Sequence, residues 1–511
     1  MKILNKFFLI LTILISVLLL TSCNTKDEYE DAMTFSDDLA GVKLRGLYGF
    51  IDIEGNLKIK PSYEQVQSFY NGAALAKQNG LWGLIDKNNN IIVPFKYELP
   101  PFESNNFMLA SNFRSAIDFI SFKENNKYGC INLKGEVVVD FISSEPILMH
   151  YGLNKPTIAI ITDNGKKGFI DLDTGFKVPP IYNDIYYGGS DYNIISLDLK
   201  GISGNLNFGY ANLDTQTVIE PQYSNHLFFQ SGLAAIEING KYGYINEANE
   251  IVIDPIYDNT SGFLNPIHNN TSEFLNDLAI VTINKKSGYI NTKGETVIPL
   301  IYDSVDPFYN GIAKISIDNK FGIINTKGEI LCEPKFTNIE LYGEGDIFPA
   351  SYRSDDGKSK TVCINIKGEI LFETNYIEIS PFGFDSQELT QVRKNSKVGY
   401  INKKGIEILP PIYNSAQSIG DLFLVKINDK AGLIGKYQTE LLKCEYTSIT
   451  PFAENIFSIS KDGKYGLYNS ATNTSTELLY DEIRFHNKGA IPVRIGDKWH
   501  YIDLDGNRLK I

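Results

Sequence analysis

One five-residue phrase returns along the chain at intervals of 33 to 46 residues, and this repetition limits the folds that the sequence can adopt. The phrase is an aromatic residue, glycine, any residue, isoleucine, and aspartate or asparagine, as in Tyr48 to Asp52 and Tyr242 to Asn246. Its glycine lies at positions 49, 83, 129, 168, 209, 243, 288, 322, 399, 432 and 466, and Val362 and His500 replace it in two further copies. A unit of about 34 residues in a chain of 511 predicts about thirteen copies of one short structure, stacked on each other.

The residues after the phrase predict a turn and then strands. Asp or Asn followed three residues later by Gly, as in Asn291 to Gly294, is typical of a turn. A β-branched run then closes with proline and an aromatic residue, as in Val218 to Tyr223. We expect the proline to end this strand, because it cannot donate a ladder hydrogen bond. A further strand turns through Asn239-Gly240 into the next phrase. The sequence therefore predicts an all-β fold of three-stranded antiparallel meanders.

The pattern resembles the WG repeat, which occurs in many bacterial proteins. The residues that carry the resemblance are Leu81 to Asp86 and the closures of proline, any residue and tyrosine. The resemblance covers Gly41 to Ile511, although Trp occurs in the phrase only at Trp82 and Trp499. Gly435 replaces the turn Asp or Asn in one copy. The family implies a β-repeat architecture that often serves as an interaction module, and it implies no reaction.

The ends of the array bear on its overall arrangement. A closed propeller has about 4–8 blades, and many propellers close by a last blade that borrows a strand from the first. Here Gly41 to Leu44 is predicted as a first strand and Asn507 to Ile511 as a last one, so no blade is split. We therefore predict propeller-like units in an open, gently coiled superhelix. The alternative is one or two closed β-propellers.

The N-terminal residues 1–22 have the features of a signal peptide. Lys2 and Lys6 precede an apolar run from Phe7 to Leu20, which is short for a membrane span of ~20 residues. Leu20-Thr21-Ser22-Cys23 resembles the lipobox of bacterial lipoproteins. The resemblance implies a diacylglyceryl group on the Cys23 thiol and cleavage before that residue. It therefore predicts an extracytoplasmic protein that is anchored to the bacterial membrane through Cys23, and the alternative is an uncleaved anchor helix.

The segment from residue 23 to residue 40 is polar and acidic and shows no periodicity. We interpret it as a lipidated, flexible tether in front of the repeat array of residues 41–511. The formal net charge of the chain is −13, which opposes non-specific binding to nucleic acid. No nucleic-acid partner is therefore expected.

The residue types that carry chemistry do not form a recognisable site in the sequence. We interpret Cys130, Cys332, Cys363 and Cys444 as small buried residues, because no pair has the spacing of a metal or redox motif. The five histidines lack the spacing of zinc ligands and provide no positioned base for a nucleophile. The sequence therefore predicts no metal, no cofactor and no catalytic residue.

The aromatic residues of the phrase and of the closures either line a binding face or form the core between neighbouring units. Their repetition at structural positions favours the core. Contact surfaces are expected instead in the segments that carry insertions: Leu99 to Asn126, Asn259 to Asp277 and Glu340 to Lys360.

Three functions are compatible with these features. The first is a non-catalytic cell-envelope lipoprotein that binds or scaffolds a protein, a peptide or a glycan. The second is an envelope enzyme that acts on glycans with paired carboxylates. The third is a structural spacer. The absence of a nucleophile, base or metal motif favours the first.

Overall fold

A computed structural model describes residues 28–99, 119–150, 157–187, 193–200, 206–224, 228–260, 278–342, 346–382 and 388–511. The predicted signal peptide and Cys23 lie outside the described residues. The chain divides into two compact units. The first comprises Met1–Leu99, Asn132–Glu136 and Glu445–Ile511, and the second comprises Pro100–Ile131 and Val137–Cys444.

The described residues form thirteen antiparallel sheets that follow the repeat. The first six are β1 (Asp31–Ala32), β2 (Ala40–Leu44), β3 (Leu47–Ile51), β4 (Leu57–Tyr63); β5 (Gln65–Val66), β6 (Ala73–Gln78), β7 (Leu81–Asp86), β8 (Ile91–Tyr97); β9 (Phe119–Glu124), β10 (Lys127–Asn132), β11 (Val137–Ser143); β12 (Leu148–His150), β13 (Ile158–Asp163), β14 (Lys166–Asp171), β15 (Lys177–Tyr182); β16 (Asp184–Tyr187), β17 (Ile194–Lys200), β18 (Leu206–Asn212), β19 (Thr217–Tyr223); β20 (Leu233–Ile238), β21 (Lys241–Asn246), β22 (Ile251–Tyr257).

The remaining seven sheets are β23 (Asn259–Thr260), β24 (Leu278–Ile283), β25 (Lys286–Asn291), β26 (Thr296–Tyr302); β27 (Ser304–Val305), β28 (Ile312–Ile317), β29 (Lys320–Asn325), β30 (Ile330–Phe336); β31 (Asn338–Ile339), β32 (Phe348–Arg353), β33 (Ser359–Ile364), β34 (Ile370–Thr374); β35 (Glu378–Ile379), β36 (Leu389–Lys394), β37 (Lys397–Asn402), β38 (Glu407–Tyr413); β39 (Ser415–Ile419), β40 (Leu422–Ile427), β41 (Lys430–Ile434), β42 (Glu440–Tyr446); β43 (Ser448–Ala453), β44 (Ile456–Lys461), β45 (Lys464–Asn469), β46 (Thr474–Ser475); β47 (Glu482–Ile483), β48 (Ile491–Ile495), β49 (Lys498–Ile502). The only helical element of the described residues is a 3-10 turn at Lys436–Gln438.

Most sheets open with a short strand that the sequence analysis missed, so ten sheets have four strands instead of the predicted three. In the second sheet this strand is β5, which directly follows the closing Tyr63 of the first sheet and pairs Gln65 with Lys77 and Val66 with Ala76. Two residues are too few to show the alternation by which a strand is recognised. The all-β prediction and the match of one sheet to one repeat are confirmed.

The glycine of the phrase lies beneath a bulge in the closing strand. In the first sheet Tyr48 pairs with Tyr63 and Phe50 pairs with Ile59, so three residues of β4 face the single residue Gly49. A Cβ atom on Gly49 would lie 2.4 Å from the carbonyl oxygen of Ile59 and 2.7 Å from the nitrogen of Pro61. Only glycine leaves room for this approach of two backbones. The expectation that proline ends the strand was wrong, because Pro61 lies in the bulge of an edge strand, where no ladder hydrogen bond is required of it.

The copy without the glycine supports this explanation. Val362 pairs with Glu373, and its neighbours Thr361 and Cys363 pair with Thr374 and Phe372 in continuous register. The closing strand has no bulge opposite Val362, so a side chain is accommodated there.

The predicted turns are confirmed. The Oδ1 atom of Asn291 accepts hydrogen bonds from the backbone N–H groups of Lys293 and Glu295, at 3.0 and 2.9 Å. Gly294 has a φ of +80°. At the hairpin, Asn239 and Gly240 have φ values of 52° and 75°, as a two-residue type I′ turn requires. The Nδ2 atom of the turn Asn also bonds a Glu in five copies: Asn132–Glu136, Asn246–Glu250, Asn291–Glu295, Asn325–Glu329 and Asn365–Glu369.

Within each unit, neighbouring sheets share a hydrophobic cluster. In the first unit, Phe50 and Tyr63 of the first sheet pack with Phe69 and Ala74 of the second. The closing aromatic residues are buried, as predicted: Tyr63, Tyr97, Tyr182, Tyr223, Tyr257, Tyr302, Phe336, Tyr413 and Tyr480. Several aromatic residues of the phrase are only half-buried: Tyr48, Trp82, Phe208, Tyr242, Phe321 and Tyr465. The prediction that aromatic residues form the core therefore holds best for the closures.

The two ends of the chain meet within the first unit. The backbones of Tyr29 and Trp499 form an antiparallel bridge with N···O distances of 3.1 and 2.9 Å. Tyr29 thus takes the closing position of the last sheet, which Tyr63 has in the first and Tyr480 in the twelfth. The named strands of the last sheet, β47 to β49, all come from the C-terminal segment, and this bridge joins Tyr29 to them. Whether the array as a whole is an open coil or a closed ring stays a prediction.

The predicted tether is also corrected, because its described part is folded. From Tyr29 the chain forms β1, and Ala32 and Phe35 are buried in one cluster with Trp499 and Tyr501. The acidic residues of this segment lie between these buried positions. They obscured the spacing of buried residues that this segment shares with the later copies. The tether prediction therefore applies at most to residues before Glu28.

Candidate functional site

The N-terminal latch, residues 29–38, holds the segment 484–488 of the last sheet. The Arg484 guanidinium is 2.9 Å from Oδ1 of Asp31 and donates to the carbonyl oxygen of Ala32 at 2.6 Å. The Thr34 hydroxyl donates to the carbonyl oxygen of Phe485 at 2.7 Å. The latch also accepts a hydrogen bond from Asn487, on the carbonyl oxygen of Phe35 at 2.9 Å, and Lys488 forms an ion pair with Asp38.

Three aromatic side chains next to the latch lie together, one exposed and two half-buried, and we call them the aromatic patch. Phe452 and Phe485 lie parallel, with 6.0 Å between ring centroids and 5° between ring planes. The His486 ring lies 5.4 Å from the ring of Phe452. Phe485 is 72% exposed.

The other copies of the repeat show why the patch is unusual. The residue six positions after the closing aromatic residue is a Phe in several copies, and in five of them it is buried: Phe35, Phe69, Phe229, Phe308 and Phe382. Phe452 and His486 take this position in the last two sheets, and both are only half-buried. Phe485 takes the position that Ser68 has in the second sheet. The patch is thus a departure from a position that elsewhere serves the core.

The His486 side chain offers a polar group beside the rings. Its Nδ1 atom is buried and has no hydrogen-bond partner among the described residues. An imidazole nitrogen can donate or accept a hydrogen bond, depending on the tautomer. The patch therefore combines two parallel apolar ring faces with one unsatisfied polar atom.

The alternative enzyme hypothesis requires a pair of carboxylates, and the structure contains one such pair. Asp184 and Asp198 face each other on β16 and β17. The Asp184 carboxylate accepts a hydrogen bond from Lys167 at 2.6 Å. Asp198 is 3% exposed, and its burial and the facing Asp184 raise the pKa of its carboxyl group. A polysaccharide cannot reach a side chain so buried, so this pair does not support glycan hydrolysis.

The predicted site residues have the following positions. Cys130, Cys332 and Cys363 are buried free thiols, and burial raises the pKa of Cys130 and of Cys363 to about 12; Cys444 is a free, half-buried thiol. Among the described residues no three His, Cys, Asp or Glu side chains are arranged to hold a metal ion. Of the three insertion-bearing segments, residues 100–118, 261–277 and 343–345 lie outside the described residues. The rest of the third segment forms the hairpin of β32 and β33.

The patch itself was missed at the sequence level. Phe452 follows Pro451, as Phe308 follows Pro307, and nothing in these residue types distinguishes a half-buried Phe from a buried one. The one signal available was His486, where the alignment of copies expects an apolar ring. Within the described part, no helix is long and apolar enough to cross a membrane.

The family model for the WG containing repeat matches ten segments, which cover more than half of the chain: residues 28–48, 48–82, 82–107, 208–242, 242–286, 288–321, 321–351, 399–430, 432–465 and 465–499. The chain belongs to the WG repeat family. The WG repeat matches begin at residue 28 and end at Trp499, so Tyr29 and Trp499 both lie in matched segments. The sheets between residues 119 and 200 have the same build, although the family model does not match them.

Several solved structures match the chain at low sequence identity and low TM-score. A eukaryotic initiation factor matches with 11% identity and a TM-score of 0.32, over 63% of this chain and 93% of the other. PorZ, a surface component of the type-IX secretion system of Porphyromonas gingivalis, matches with 10% identity and a TM-score of 0.21, over 94% and 80%. The extracellular domain of a one-component system protein from B. thetaiotaomicron matches with 9% identity and a TM-score of 0.18, over 94% and 82%. No curated protein matches the sequence.

Proposed function

We propose that this WG-repeat protein is a non-catalytic lipoprotein of the bacterial cell envelope that binds a neutral glycan at the aromatic patch. The repeat supplies a rigid scaffold in which each sheet is fixed by its neighbours. The observation that carries the proposal is the exposure of Phe485 beside the half-buried Phe452, whose position holds a buried Phe in five other copies.

The surroundings of the patch favour a neutral ligand. Arg484 is paired with Asp31 and with Glu482, and Lys488 is paired with Asp38. These charges therefore compensate each other and offer no free charge to a charged peptide. A sugar ring has an apolar face that can lie on an aromatic ring and hydroxyl groups at its edge.

The N-terminal residues support the proposed location of the protein. The motif ending at Cys23 supports a diacylglyceryl anchor, and two acyl chains are enough for stable attachment to a membrane. The proposed protein therefore presents its repeat array outside the cytoplasm, where envelope glycans are available.

The experiment is calorimetric titration of the soluble fragment 24–511 with maltohexaose, cellohexaose and chitohexaose. For the hexasaccharide that binds the wild-type fragment, Phe485→Ala should raise the Kd about tenfold. One stacking contact contributes about 1 kcal/mol in addition to its buried area. Tyr342→Ala, which removes another exposed aromatic side chain (56% exposed), is the matched control and should leave the Kd unchanged. Equal loss in both variants, or binding of none of the three sugars, would contradict the proposal.

A further inference from the structure

The latch and the aromatic patch share one short segment of chain. Of the five residues 484–488, all but His486 are bonded directly to the latch. Arg484 and Asn487 use their side chains, and Phe485 uses its carbonyl oxygen. The rings of Phe485 and His486 are the groups of this segment that contact Phe452. The latch thus fixes the backbone from which two of the three patch rings project.

The bonds differ from those elsewhere in the repeat, because they join residues about 450 positions apart in the sequence. The hairpin of the last sheet holds the two ends of the segment, where the Arg484 N–H bonds the carbonyl oxygen of Pro492 and Asn487 pairs with Ala490. Between these points the bond that holds the Phe485 carbonyl oxygen comes from Thr34 of the latch. Fixing the rings in advance removes the entropy cost of ordering them when a ligand binds.

We propose that the N-terminal latch regulates the aromatic patch: the seated latch orders the patch for its ligand, and the bound ligand in turn holds the latch in place. This inference rests on the proposed function for its ligand-binding half. The coupling must be reciprocal, because a ligand that prefers the seated state shifts the equilibrium toward that state. The chain between Cys23 and Tyr29 is only a few residues long, so the latch is also the part of the described fold nearest to the proposed anchor.

A gentle variant tests the coupling without separating the ends of the chain. Thr34→Val removes the hydroxyl that bonds the Phe485 carbonyl oxygen, and Asn487→Ala removes the amide that bonds the Phe35 carbonyl oxygen. The double variant keeps the bridge between Tyr29 and Trp499. Ser36→Ala is the matched control, because Ser36 is in the same segment and its hydroxyl bonds the carbonyl oxygen of Phe69 instead.

The first measurement is hydrogen exchange of the fragment 24–511, which requires no ligand. In the double variant we expect exchange within residues 484–488 to become at least severalfold faster, while β48 and β49 keep their protection. Ser36→Ala should leave exchange in 484–488 unchanged. Unchanged exchange in the double variant would overturn the proposal, whether or not a glycan binds.

The second measurement uses the hexasaccharide that binds the wild-type fragment. The double variant should bind it threefold to tenfold more weakly, and the sugar should slow exchange of residues 31–38 in the wild type. Wild-type affinity in a variant whose patch exchanges faster would overturn the coupling. Failure of all three sugars to bind would overturn the proposed glycan function, and the exchange result alone would then decide on the latch.

Discussion

Tyr29 and Trp499 are joined through both of their backbone N–H groups, although 470 positions separate them in the sequence. The same pair of positions is occupied by Tyr48 and Tyr63 in the first sheet, within a single continuous unit. A residue of the N-terminal segment is therefore hydrogen-bonded to the last described sheet. The Arg484 guanidinium lies 3.8 Å above the Trp499 ring and adds a cation–π contact to this junction.

Removal of the Tyr29 ring should destabilise the first unit. Tyr29 is 3% exposed and contacts the ring of Tyr501 with 6.1 Å between centroids, so Tyr29→Ala leaves a cavity between the first and last sheets. The expected cost is about 3–5 kcal/mol, as for other buried aromatic residues. Thermal unfolding followed by the fluorescence of the two tryptophans, Trp82 and Trp499, measures it. Tyr437→Ala, at an 85% exposed ring, should change stability by less than about 0.5 kcal/mol, and an equal effect of both variants would argue against the junction.

The glycine of the phrase should not tolerate a methyl group. In Gly322→Ala the new Cβ would lie 2.5 Å from the carbonyl oxygen of Cys332, and the backbones would have to separate. We expect a loss of about 1–3 kcal/mol or more in the free energy of unfolding. Gly435→Ala is the control, because Gly435 has a φ of −86° and its new Cβ would approach only the flexible side chain of Leu441 closely, at 3.3 Å. Urea unfolding of both variants measures this loss. An unchanged free energy of unfolding in Gly322→Ala would show that the bulge is not rigid.

Asp198 should make stability depend on pH in an uncommon direction. Burial, and the facing carboxylate of Asp184, raise the pKa of Asp198 in the folded state above the value of about 3.9 in an unfolded chain. The protonated form therefore stabilises the fold at low pH, and this contribution is lost as the pH rises through the raised pKa. Asp198→Asn should be more stable than the wild type at pH 7, and the difference should shrink toward pH 4.

Asp303 provides a control of opposite sign for this pH dependence. The Lys286 ammonium group and the backbone N–H of Asp318 lower the pKa of Asp303. Asp303→Asn should therefore lose stability at pH 7 and recover it as the pH falls below the ordinary Asp value. Thermal unfolding of both variants between pH 3 and pH 8 measures the two effects. Parallel curves for the two variants would contradict the assignment of Asp198.

The anchor prediction concerns Cys23. Cys23→Ala should leave an unprocessed precursor that takes up no lipid label, because the thiol is the proposed attachment point. Metabolic labelling with a palmitate analogue and the mass of the mature N-terminus test it. Cys130→Ala serves as a control, because its buried thiol cannot accept the lipid. Normal labelling of Cys23→Ala would disprove the lipoprotein proposal.

The regular parts of the fold were predictable because their causes are local. The turn at Asn291 to Gly294 depends on the reach of one side chain and on the φ of one glycine, and both are written in four residues. The position of Pro61 was misjudged, because a bulge depends on the strand opposite. The latch was missed for a similar reason: Tyr29 has the same role as Tyr63, but its partner Trp499 is at the other end of the chain. The patch depends on how much of the Phe452 ring is covered by neighbouring side chains. This coverage is set by tertiary packing and cannot be predicted from the local sequence.

The packing of Ile511 has a practical consequence for work with the purified protein. Its side chain is 7% exposed in the cluster that contains Tyr29 and Trp499, and a Cβ atom on Gly55 would lie 2.6 Å from its Cα atom. An affinity tag fused directly after Ile511 would begin inside a packed core, and one fused directly before Tyr29 would begin at the same junction. A purification handle is better inserted at an exposed turn, such as the one that carries Tyr437, where it leaves the joined ends undisturbed.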